Sequence, residues 1–218
     1  QVESDELVVN FSSSETFYSD KRPFFSENHS LFDVKGFTYF YLINTRRIGA
    51  APDYNCSSFE GSLKDYCESS QLGISDIDYA IRYTQQGETL DLGFLGASEA
   101  NETFSEGRDF YSLRARKNFA DFSLGYLGTH TDRPVLDRTA DVHSMDLVYR
   151  YSVKTRIDAI YITSNTEQGI DNSEKSGEAF RFRLTSSPSS QRYTDVFLFF
   201  FDEDTDINDM GYQIIDDY

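Results

Sequence analysis

Arg22, Arg46 and Arg47 are the side chains in this sequence best suited to grip a ligand. Guanidinium forks recognise carboxylates and phosphates in two-pronged geometry. One reading is a basic cluster lining an interior, where it binds an anion or guides a solute. The other is a salt-bridge network to Glu27, Asp33 or strand carboxylates that holds an irregular segment in place. A second candidate is the acidic run over 202–209. Asp204, Asp206 and Asn208 place oxygen ligands at alternate positions, as the first half of a calcium loop does. The pattern then breaks, because Asp209 occupies the required glycine position and Ile215 the place of the closing glutamate. The expectation is therefore no metal site, and a solvated loop with at most weak divalent-cation binding.

Cys56 and Cys67 lie close together in a polar stretch. A local disulfide formed in an oxidising compartment is expected. A metal would need more ligands, and between the two cysteines only Glu60 and Asp65 are on offer. Catalytic constellations are missing. The three histidines, His29, His130 and His143, accompany no Gly-x-Ser-x-Gly elbow, and there is neither a P-loop nor a dinucleotide fingerprint. The 37 acidic residues supply carboxylate pairs everywhere, which is abundance rather than a site. No enzyme and no cofactor are expected.

These side chains sit on a scaffold whose pattern is regular. In the later two thirds, apolar and polar residues alternate with period two, the signature of half-buried strands. Ile77, Tyr79, Ile81 and Tyr83 alternate with Asp78 and Arg82; Leu92 and Phe94 follow on the next strand. Leu124 and Tyr126, then Met145, Leu147 and Tyr149, then Phe180, Phe182 and Leu184 repeat the theme. Short turns join the strands in pairs, while 99–108, 131–141 and 164–177 read as longer polar loops. Short turns alternating with long loops are typical of outer-membrane barrels. The predicted fold is all-β, an antiparallel up-and-down barrel of about ten strands or a large part of one. Residues 1–218 form one barrel region, with irregular segments at 12–36 and 48–73. Strands are expected at 7–11 and 37–43, and 212–218 reads as the start of another, so the chain is expected not to close a barrel by itself.

Charge and hydropathy narrow the partners. A net charge of −17 repels nucleic acid. The longest apolar block, 196–201, is far too short for a membrane helix, whereas a barrel strand needs only about 10 residues with alternate ones apolar. Charges such as Asp78, Arg82, Asp146, Arg181 and Arg183 lie deep within strands on the polar face. They suit a lumen, and the Tyr- and Phe-rich face suits lipid. A soluble barrel or sandwich also alternates, with its apolar face turned inward, and periodicity does not distinguish the two.

The segment Asp20-Lys21-Arg22-Pro23-Phe24-Phe25-Ser26-Glu27 and the segment Thr45-Arg46-Arg47-Ile48-Gly49-Ala50-Ala51-Pro52 are distinctive. In this order they resemble an uncharacterised family of bacterial outer-membrane proteins in which a carbohydrate-binding family 9-like domain precedes a β-barrel. The resemblance is close over the two motifs and loose elsewhere, and it reaches only the barrel part. It implies a Gram-negative outer-membrane location with membrane lipid as partner; no chemistry comes with it. The reading is thus an outer-membrane barrel of unknown substrate, a passive pore or surface scaffold. The alternative is a soluble β-barrel or β-sandwich module that binds carbohydrate or a protein.

Overall fold

The computed structural model describes residues 19–27, 29–34, 40–169 and 173–213. The architecture is an eight-stranded antiparallel sheet in strict up-and-down order. Its strands are β2 (Ile77–Gln86), β3 (Leu90–Glu99), β4 (Asp109–Asn118), β5 (Phe122–Arg133), β6 (Arg138–Ser152), β7 (Thr155–Gln168), β8 (Ser173–Ser189) and β9 (Arg192–Phe201). Two short strands, β1 (Phe40–Tyr41) and β10 (Tyr212–Gln213), pair with each other. Among the described residues β2 and β9 are not paired, so the sheet is open. The expected strand at 7–11 and residues 37–39 and 214–218 fall outside the described residues.

Three expectations are corrected. The segments 131–141 and 164–177 are not loops for most of their length. They extend β5 to β8 into hairpins, with strands of up to 17 residues. Their Thr, Ser and Asn side chains lack an apolar stripe, but the backbone ladder needs none. The β5–β6 connection is a tight turn over Pro134–Leu136 closed by Asp137 in the left-handed region, which aspartate tolerates. Secondly, a bulge between Ile77 and Tyr79 breaks the alternation at the start of β2. It turns Ile77 against the core and leaves Asp78 exposed beside the fold rather than on the polar face with Arg82. Thirdly, the irregular segment 48–73 contains a helix, α2 (Gly61–Ser69). Its one buried side chain is Cys67, bonded to Cys56 in the preceding turn. A helix held by a disulfide needs no apolar stripe, so hydrophobic periodicity gave no sign of it.

The core settles which face is inside. One face of the sheet is covered by the N-terminal segment, including the single turn α1 (Pro23–Ser26), and by residues 205–213. Phe25, Leu31, Phe32, Ile43 and Ile48 pack against Leu95, Phe110, Leu127, Val142, Ile160 and Ile162. Each such fully buried side chain contributes about 1.5–3 kcal/mol. Close approach is possible because β3 carries Gly93, where a Cβ would collide with the Leu31 and Phe32 side chains. Phe40 extends the cover by stacking on Phe201, with ring centroids 5.0 Å apart.

Candidate functional site: an apolar outer belt and a latched interior

The outer face carries no core. Tyr79, Ile81, Leu92, Phe94, Leu124, Tyr126, Leu147 and Tyr149 all stay out of the buried cluster, while Arg82, Asp146 and Arg181 share the covered face with it. Pairing register aligns the outward side chains into three rungs across β5 to β9. Tyr126, Met145, Tyr161, Phe180 and Phe200 form one. Leu124, Leu147, Ala159, Phe182 and Leu198 form the next, and Phe122, Tyr149, Ile157, Leu184 and Val196 the third. No charged residue interrupts them. Polar positions bound the belt on both sides, with His143, Thr163 and Glu178 beyond one edge and Thr155, Ser186 and Thr194 beyond the other. Soluble monomers rarely leave contiguous apolar patches of more than a few hundred Å² open to water.

Several arginines hold the covered face by docking on backbone or carboxylate. Arg22 is buried and donates to the carbonyls of Ile48 (2.9 Å) and Thr45 (2.8 Å). Its carboxylate partner is Asp20, at 2.6 Å, rather than Glu27 or Asp33. Burial opposes ionisation of Asp20, but hydrogen bonds from Arg22 and Thr45 outweigh it and hold the carboxyl below its usual range. Arg46 and Arg47 lie in the turn Thr45–Arg47, and Arg47 Nε donates to Gly211 O at 3.3 Å. Arg22 fastens the N-terminal segment to itself and spends its donors on that task, and Arg47 joins the segment to 205–213.

Three further latches were not singled out in the sequence. Arg108 pairs with Glu99 at 2.6 Å, both buried, and the same carboxylate accepts from Gly49 N. Arg114, 2% exposed, clamps Asp146 through Nη1 at 2.5 Å and Nη2 at 3.1 Å, while its Nε donates to Leu31 O. These partners lie on β4 and β6, so the pair spans β5 above Gly125, where any Cβ would overlap both groups. Asp209 receives both Arg133 (2.9 Å) and Arg138 (2.6 Å); Arg133 also holds Asp53 and Arg138 also holds Asp206. The available signal was an Arg or Asp at inward positions of alternating strands, which is legible only once register is known.

The acidic run is therefore not a solvated loop. Thr205, Ile207, Asp209 and Met210 are buried, Thr205 donates to Glu178 O, and Asp206 is committed to Arg138. Asp204 points elsewhere, 3.9 Å from Lys175, and Asn208 accepts from Gln213 N. Asp204, Asp206 and Asn208 do not converge. Burial raises the Asp209 carboxyl, but the hydrogen bonds from Arg138 and Arg133 prevail and depress it. A depressed carboxyl adds stability above its unfolded value, about 3.9, and that stability is lost as pH falls through the lower folded value. The packing of 205–213 is thus expected to loosen below about pH 4. Asp209→Asn should cost about 1–3 kcal/mol at neutral pH and flatten the acid limb. Urea midpoints between pH 3 and 7 check this; equal pH slopes for both proteins would rule it out.

The histidines are dispersed. His130 pairs with Asp141 and His143 with Tyr126, both at 2.8 Å on the outer face, while His29 is in the N-terminal cover.

Residues 1–73, about a third of the chain, match the family model described as a domain of unknown function (DUF5916). Both arginine motifs fall inside this stretch. No curated protein matches the chain. Over 1–73 the protein is similar to an uncharacterised family, and that likeness takes in the N-terminal part of the cover and the disulfide loop but neither 205–213 nor the eight-stranded sheet.

Proposed function

We propose that this chain forms the wall of a Gram-negative outer-membrane β-barrel, with the belt facing lipid and the N-terminal segment occupying part of the interior. The observation that carries the reading is the belt: three uncharged apolar rungs across five strands, on the face opposite the core. In a bilayer such a face is the expected exterior of a barrel, with polar and charged side chains turned inward. The interior cover favours a surface scaffold over a wide passive pore, because Phe25, Leu31, Phe32 and Ile48 fill space that a pore would leave to water. The protein acts without catalysis in this reading, and its partner is membrane lipid. The likeness over 1–73 is to a domain of unknown function and carries neither a location nor a carbohydrate-binding domain.

The direct test is extraction and gel migration. The protein is expected in the outer-membrane fraction, to require detergent for release, and to migrate differently when loaded unheated. Recovery as a folded, soluble protein in detergent-free buffer would instead make it a soluble binding module.

A further inference from the structure

On the covered face, towards the short turns, Ser30, Leu31 and Asp33 border a cavity of about 320 Å³. Arg114, Arg116, Arg150, Arg156 and Arg181 wall it, against Asp33, Asp146 and Asp158. A basic cavity in a chain of net charge −17 is not what composition alone would place there. Three of the arginines are neutralised: Arg114 by Asp146, Arg116 by Asp91 at 2.8 Å, and Arg156 by Asp158. Among the described residues, Arg150 and Arg181 have no carboxylate within ion-pair distance. Arg181 Nε is buried without a hydrogen-bond partner. Arg150 stands directly opposite Arg156 across β6 and β7, on the same face. Like charges at directly opposed positions destabilise a sheet, and Asp158 offsets the charge of Arg156 while Arg150 keeps its own. Ser123 and Asn118 add neutral polar groups to the wall.

We propose that this cavity binds the oxyanion group of a small solute, a phosphate or a carboxylate, between Arg150, Arg156 and Arg181. Guanidinium donors match both anions in fork geometry, and the bound charge supplies a counter-ion to Arg150 and the missing acceptor to Arg181 Nε. These arginines differ from Arg22, Arg46 and Arg47, which are docked in the N-terminal segment and do not line the cavity. The proposal does not rest on the membrane location. Should the chain prove soluble, the same cavity is titrated in plain buffer.

The test is calorimetric titration of the full chain, folded in detergent micelles at low chloride, with inorganic phosphate in one arm and citrate in the other. Binding of phosphate alone assigns a phosphorylated solute, and binding of citrate alone a carboxylate solute; either supports the proposal. The double variant Arg150→Gln/Arg181→Gln is expected to weaken binding about tenfold or more, as loss of charge-assisted hydrogen bonds does. Arg192→Gln, at the far turn of β8 and β9, should leave it unchanged. Circular dichroism establishes that each variant is folded, and Arg150→Lys with Arg181 intact serves if the double variant is not. No binding of either anion up to about 10 mM, or equal binding by wild type and the arginine variants, would overturn it.

Discussion

Asp146→Ala is expected to lower stability by about 3–5 kcal/mol, the usual effect of breaking a buried ion pair from one side. The reason is what remains. Arg114 is 2% exposed, and without Asp146 its charge keeps only Leu31 O among the partners described above. Its desolvation is then uncompensated. The neighbourhood does not readily relax, because Leu31 and Phe32 press on Gly93 and the pair itself fills the space over Gly125. Replacing both partners with apolar residues of similar size, Arg114→Met with Asp146→Leu, should recover most of the loss, since no buried charge is left unpaired. The measurement is a urea midpoint in detergent, with an unchanged slope showing that stability moved rather than the denatured state. A loss below about 1 kcal/mol for Asp146→Ala would mean that Arg114 finds water, and that the interior is wetter than its burial implies.

Leu147→Arg and Thr139→Arg are expected to part company, although both lie on the outer side of β6. Leu147 sits in the middle rung of the belt, between Leu124 and Ala159. Thr139 lies beyond the belt, between Asp132 and Glu167. In a bilayer an arginine costs about 2–4 kcal/mol at the midplane and about 0–1 kcal/mol near the interface. The first variant should therefore be destabilised by at least about 2 kcal/mol more than the second, read as refolding yield and urea midpoint in lipid vesicles. In water neither substitution removes a core contact, so the two should lie within about 0.5 kcal/mol of each other. Equal effects would count against the lipid-facing belt.

The β architecture was readable because period-two alternation is local. It placed the strand cores of β2 to β9, and it put Leu92 and Phe94, or Leu147 and Tyr149, together on one face. The strand ends were harder to read. Beyond the belt, β6, β7 and β8 continue through Thr, Ser, Asn and Glu without an apolar stripe, and only partner strands decide whether such residues pair. The bulge at Ile77 was hidden for a related reason, since one extra residue reverses facing without altering composition.

The sequence by itself determined the sheet, the side chains that share a face, and the proximity that lets Cys56 meet Cys67. Tertiary structure decided which face is inside, because alternation is symmetric and either face would satisfy it. The N-terminal segment broke that symmetry. It lays Phe25, Leu31 and Phe32 on the polar face, fits them against Gly93, and anchors their backbone through Arg82 and Arg114. The arginine assignments followed from the same packing. Glu99, Asp146 and Asp209 found Arg108, Arg114, Arg133 and Arg138 through register and chain crossing rather than by closeness in sequence. That left Arg150, which is exposed, and Arg181, whose Nε is buried without a hydrogen-bond partner, beside the cavity, because among the described residues the fold brings no carboxylate within ion-pair reach of either.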